Sequence, residues 1–166
     1  MYYLARMLAG GEDPKFIARR LVISAAEDIG LANPTAMVMA NETFAAVERI
    51  GMPEGRIPLS QCVIYLATSP KSNAAYAAIN HAMQFVNQTG DLPVPLHLRN
   101  APTQLMKDQG FGKGYQYDHD ADQGASGQEF LPERIAGTSF YNPGNNSKEA
   151  NIRQAMRAIW KEKYGF

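Results

Sequence analysis

The chain has 166 residues, a formal net charge of zero and one cysteine, and 45% of its residues are hydrophobic. Such a chain can bury a core without disulfides or metal, which excludes disorder throughout. Zero net charge weighs against an autonomous nucleic-acid binder, whose affinity comes largely from neutralising phosphates. No apolar run reaches the roughly 20 residues of a membrane helix.

The first two-thirds of the chain read as helices separated by clear stops. Tyr2 to Ala9 is a short apolar helix ended by Gly10-Gly11. Asp13-Pro14 starts the next, because an Asp N-cap satisfies free N–H groups and proline loses nothing at the first helical position. That helix is expected through Phe16, Ile17, Leu21, Val22 and Ala25 to about Asp28, with Gly30 as its stop. Asn33-Pro34 repeats the device ahead of Met37, Ala40, Phe44, Val47 and Ile50, which share one helical face. Gly51 closes that helix and 52–55 is a loop. Leu59 to Thr68 follows, stopped by Ser69-Pro70, with Cys62 expected as a buried thiol in an apolar run. Ser72 caps a helix to about Gln88 whose stripe is Tyr76, Ile79, Met83 and Val86. The alanines at 74, 75, 77, 78 and 82 allow close approach, so this helix is expected at the centre of the fold.

The chain changes character after Asp91. Pro93-Val94-Pro95-Leu96-His97-Leu98 is expected to be extended, because proline fixes φ and pushes its predecessor out of the helical region. A short helix from Pro102 to Gln109 precedes a long loop, Gly110 to Gly127, that has room for a short hairpin. Thr138 to Tyr141 is expected as a short strand. A last helix begins near Ser147, with Glu149 in its first turn and Ile152, Met156, Ile159 and Trp160 on its apolar face.

Several strings suggest chemistry and fall short of it. Gly110 to Tyr115 resembles a phosphate loop, but Lys107 stands where such a loop needs glycine and Gly114 where it needs Ser or Thr. A turn of left-handed glycines is the simpler reading. Asp118-His119-Asp120-Ala121-Asp122 offers carboxylates and an imidazole. A calcium loop counted from Asp118 would need Gly at 123 and Glu at 129, and the chain has Gln123 and Glu129. No Gly-x-Ser-x-Gly string occurs, so His81 and His97 are read as structural. Arg19-Arg20 and Glu27-Asp28 read as surface charge with one intramolecular ion pair, or as groups that pair across a subunit boundary. The cations of the last helix (Lys148, Arg153, Arg157, Lys161 and Lys163) read as a solvated face. Catalytic, cofactor and metal residues are all expected to be none.

Other strings carry a family likeness. Gly11-Glu12-Asp13-Pro14 with Ile17-Ala18-Arg19-Arg20-Leu21, Ala26-Glu27-Asp28-Ile29-Gly30-Leu31-Ala32, Ile50 to Arg56 and Pro70-Lys71-Ser72-Asn73 stand in one order. Val94 to Thr103 and Gly112-Lys113-Gly114-Tyr115 follow. From about Leu4 to Phe166 the chain resembles the C-terminal region of the replication-associated recombination protein A group (RarA, also called MgsA), related to the Werner-helicase-interacting ATPase. The resemblance implies a mainly α, helical domain like the collar of clamp loaders, with an extended Pro/Gly-rich segment and long loops in its C-terminal third. Residues 1–166 would then be a single C-terminal assembly domain that forms a homotetramer. The AAA+ module, with its ATP and Mg, would lie outside this chain, and the abrupt helical start fits an excised domain. The resemblance also implies work at stalled replication forks. Single-stranded-DNA-binding protein and DNA would be met through the full-length protein, in the cytoplasm and nucleoid-associated, with no membrane contact.

Self-association is therefore the expected role. The helix from Ser72 to Gln88 is apolar around much of its girth, more than one copy is expected to cover. The interface candidates are Tyr76, Met83, Phe85 and Trp160. One rival is a module that docks DNA or single-stranded-DNA-binding protein, which calls for a clustered basic face. The other is an enzyme built on His97 or the Asp118–Asp122 loop, which calls for converging groups in a pocket.

Overall fold

Seven α-helices and no strand occur among the described residues, 1–121 and 124–165, of the computed structural model. The mainly α class expected from the sequence is the class observed. Residues 1–166, expected as one assembly domain, divide into two compact units. One joins residues 1–79 to 143–151, and the other joins 80–142 to 152–166.

The first unit is built on α1 (Tyr2–Ala9), α2 (Pro14–Ser24), α3 (Thr35–Ile50) and α4 (Arg56–Thr68). Asp13 caps α2 as expected, its carboxylate accepting the Lys15 N–H at 2.9 Å. Past Ser24 the helix continues as a wider π turn, Ala25–Ile29, and then a tight 3-10 turn, Gly30–Ala32. Asn33 does not cap α3. Its amide instead donates to the Tyr65 hydroxyl at 3.1 Å and the Ser69 hydroxyl at 3.0 Å, tying the start of α3 to the end of α4. Helix α4 starts at Arg56, earlier than Leu59, because Pro58 is tolerated in a first turn where its missing N–H has no partner to lose.

Two buried clusters hold these helices together. Ala25, Ile29, Ala36, Ala40, Cys62 and Leu66 form one; Leu4, Ile17, Ala18, Val47 and Leu59 form the other. Ala18, Ala25, Ala36 and Ala40 are each at most 1% exposed, so small residues set the close approach here between α2 and α3. The alanines of α5 (Ala74–Thr89) were expected to play that part, and they do not: no residue of α5 is buried. Alanine permits close packing, but only larger apolar neighbours on both sides compel it. Ser72 does cap α5, accepting the Ala74 N–H at 3.2 Å. Helix α7 (Ser147–Trp160) begins where expected. In its first turn Glu149 is fully buried, bonded through its carboxylate to the Asn146 amide.

The second unit contains no buried residue among those described. Ring contacts hold it instead, with Phe85, Phe140, Trp160 and Tyr164 partly buried. Phe85 meets Phe140 at 5.4 Å and His81 at 6.3 Å, edge to face, and Trp160 meets Phe130 at 6.1 Å and Tyr164 at 5.1 Å. The expected strand at 138–141 does not form, since no second strand is there to take its ladder; Phe140 serves the ring cluster. Nor do the described residues of the 110–127 loop form a hairpin. Side chains join its limbs: the Gln128 amide donates to the Gln116 carbonyl at 2.7 Å, and Asp118 accepts from the Ser126 hydroxyl at 2.7 Å. The Pro-rich ribbon is extended to Pro95 and then turns as a 3-10 helix, Leu96–Leu98, where strict extension was expected. The short helix is α6 (Gln104–Asp108), behind a Thr103 cap.

Candidate assembly surface

Helix α5 carries an apolar stripe left open. Tyr76, Ile79, Met83 and Val86 recur at spacings of three and four, which puts them on one face. They are 48%, 56%, 61% and 55% exposed. An isolated exposed apolar residue is ordinary, but four in a row on one helix face are not. Of the four candidates named from the sequence, Tyr76 and Met83 belong to this face. Phe85 points to the His81 and Phe140 rings, and Trp160 lies between Phe130 and Tyr164. Ile79 and Val86 complete the face. Ile57 and Ile64, seven residues apart on α4, are also more than half exposed. The two isoleucines share the exposed side of α4 with Gln61 and Thr68, opposite buried Leu59, Cys62 and Leu66.

The polar groups make structure. His97 donates from Nε2 to the Glu129 carbonyl oxygen at 2.9 Å, which fixes its tautomer. The Glu129 carboxylate accepts from the Leu131 N–H at 2.9 Å, the Gly137 N–H at 3.2 Å and the Tyr164 hydroxyl at 2.9 Å, with Lys163 at 3.4 Å. Burial pushes this carboxyl up, but the four partners outweigh it and hold it below the usual carboxylate range. Burial, together with the hydrogen bond to Glu129 and its negative charge, pushes Tyr164 up to about 12. The hydroxyl and N–H of Ser126 hold Asp118 below its usual value. Cys62 is buried as expected; burial pushes its thiol up, against a smaller opposite effect of the Thr43 hydrogen bond.

The strings weighed for chemistry take plain geometries. Gly110, Gly112 and Gly114 all have positive φ and make successive turns, as the glycine reading expected. Asp122 and Gln123, which the metal-loop reading used, lie outside the described residues, as does Phe166. Among the described residues no three of His, Cys, Asp and Glu gather at a metal-binding spacing. Arg19 and Arg20 form no ion pair with Glu27 or Asp28; Arg19 lies 5.8 Å from the Phe16 ring and Asp28 accepts from Ser24. The intramolecular pair at this helix is instead Lys15 with Glu48, at 3.1 Å. No helix among the described residues is long and apolar enough to cross a membrane.

Residues 1–160 match the family described as MgsA AAA+ ATPase C terminal. The chain belongs to that family. It is 46% identical over 157 residues to the replication-associated recombination protein A of Coxiella burnetii, covering 94% of this chain and 36% of that protein. Against the protein of the same name from Escherichia coli K12 the identity is 41%, covering 94% and 35%. Against the ATPase WRNIP1 of Dictyostelium discoideum it is 43% over 141 residues, covering 84% of this chain and 16% of that protein. This member of the MgsA C-terminal family thus spans about a third of the length of the bacterial relatives it matches.

Proposed function

We propose that this chain is the homo-oligomerisation domain of a AAA+ ATPase acting in replication, recombination and repair at stalled forks. It assembles a homotetramer through residues 1–166 and does no chemistry itself. ATP and Mg belong to the ATPase module of the parent protein. DNA and single-stranded-DNA-binding protein are met through the full-length protein, in the nucleoid.

The observation that carries this reading is the α5 face: Tyr76, Ile79, Met83 and Val86 are roughly half exposed or more, on a helix with no buried residue. Burying an apolar side chain of this size contributes about 1.5–3 kcal/mol. The second unit, with no buried residue among those described, points the same way. Association is the straightforward means of covering that surface, and a closed symmetric assembly is its commonest form. An obligate interface of this kind buries more than about 2,000 Å².

The test is light scattering on the purified chain at micromolar concentration. Four copies are expected. Ile79→Lys with Met83→Lys is expected to give monomers with an unchanged helical circular dichroism spectrum. A wild-type chain that runs as a clean monomer defeats the reading.

A further inference from the structure

The second unit holds an open cleft of about 910 Å³ between residues 92–99 and 129–136. Leu92, Val94 and Leu96 line it from the first segment, and Leu131, Pro132 and Ala136 from the second. Val94 is 55% and Leu96 47% exposed. The cleft is built by hydrogen bonds. His97 bonds the Glu129 carbonyl at 2.9 Å, the Gly112 N–H donates to Leu96 at 2.8 Å, and Arg99 Nε donates to Val94 at 2.7 Å. A site held this way needs little ordering when a ligand enters.

Arg99, Lys113 and Arg134 stand among the lining residues, and none of them forms an ion pair among the described residues. Of the two lining carboxylates, Glu129 is taken up by Lys163, Tyr164 and two N–H groups, so only Glu133 opposes these three cations. We infer that this cleft is a docking site for an extended peptide segment that alternates apolar and acidic side chains. The apolar side chains enter between the two leucine-bearing segments, and the carboxylates meet Arg99, Lys113 and Arg134.

Two observations favour a peptide over a nucleic acid, which could also use three cations. Single strands bind by stacking bases on aromatic rings, and no Phe, Tyr or Trp lines the cleft. The lining is mostly aliphatic and prolyl, which suits side-chain insertion and leaves bases and sugars unsatisfied. Backbone pairing contributes little, because Pro93 and Pro95 have no N–H and the Val94 carbonyl is engaged by Arg99. Affinity therefore comes from the apolar insertion, and orientation from the charges. The site does not depend on the α5 face, so it stands whether or not the chain assembles.

The test uses the full chain and a fluorescein-labelled octapeptide alternating aspartate and leucine, read by fluorescence anisotropy. Saturable binding is expected, at least tenfold weaker when lysine replaces aspartate or serine replaces leucine. Lys113→Glu and Arg134→Glu, both on the exposed rim, are each expected to weaken binding about fivefold or more while the circular dichroism spectrum is unchanged. Val94→Ser should weaken it without altering the salt dependence. The proposal is overturned by no saturable binding, by equal binding of the lysine peptide, or by indifference to both charge reversals. It is also overturned if labelled oligothymidine binds more tightly than the peptide and the same two variants abolish that binding.

Discussion

Glu129 shows how little a single residue's role can be seen in sequence. Counted along the chain it is the last position of a failed calcium loop; folded, it anchors four partners. Two of those, Lys163 and Tyr164, stand 34 and 35 residues away. No periodicity or spacing marks such a cluster, because side chains brought together by loops leave no repeat in the sequence. Its pH behaviour follows from its shifts. The Glu129 carboxyl is held below its unfolded value, so its contribution is complete above the ordinary glutamate range. It fades as pH falls through the folded value, since the unfolded chain then binds the proton more readily. Tyr164 is shifted the other way. Its contribution is complete below its unfolded value of 10.0 and is lost as pH rises towards about 12. Hydrogen bonds to a charged group are worth about 1.5–3 kcal/mol each. Glu129→Gln is therefore expected to lower stability near neutral pH by on the order of 2 kcal/mol and to flatten the acid limb of the stability curve. Urea unfolding between pH 3 and pH 7 measures both, and an acid limb as steep as in the wild type would contradict the assignment.

At the scale of elements, starts and stops were the most legible features. Asp13-Pro14 and Ser72 open helices at the expected places, because caps are local and need only a few neighbouring residues; α7 begins at Ser147 as expected, with Asn146 taking the Glu149 N–H. Gly30 was read as a stop and is also a point of close approach. Its φ is +48°, and a Cβ there would lie 2.9 Å from the Ser72 carbonyl oxygen. The Ser72 N–H in turn donates to the Asp28 carbonyl at 2.9 Å, so the linker before α5 is pressed onto the end of the π turn. Gly30→Ala adds a strained backbone to a clash with the Ser72 carbonyl. It is expected to cost about 1–3 kcal/mol, seen as a lower urea midpoint with an unchanged slope. A midpoint equal to the wild type would mean that the linker moves freely. The strand expected at 138–141 failed for a complementary reason. Alternation and β propensity describe a residue's preference, but a strand needs a partner edge, and none is present among the described residues.

For the whole molecule, the contrast between the two units is the main result. The first has two buried apolar clusters; the second has none among its described residues and depends on ring edges and a carboxylate. Opening free energies follow buried apolar contact and protected hydrogen bonds. Amide exchange in the monomeric Ile79→Lys, Met83→Lys variant should therefore be slowest in α2, α3 and α4. It should be faster by orders of magnitude at 96–98 and in α6. Equal protection of α3 and α6 would refute that ordering.

The helical class, the order of the helices, the Asp13 and Ser72 caps and the family strings are all legible along the chain, because each depends on residues close together in it; the Asn33 cap is not, because its amide is drawn to Tyr65 and Ser69 on α4. The sequence also marked the apolar stripe of α5. Which apolar faces are covered emerges only in the folded packing. Ala18, Ala25, Ala36 and Ala40 are buried while Tyr76, Ile79, Met83 and Val86 stay open, and no local pattern separates the two groups. Burial is a property of what stands opposite a residue, and what stands opposite is set by contacts between distant parts of the chain. The same holds for the cleft: its prolines and cations are plain in the sequence, but that residues 92–99 and 129–136 line one cleft follows from contacts such as His97 to the Glu129 carbonyl.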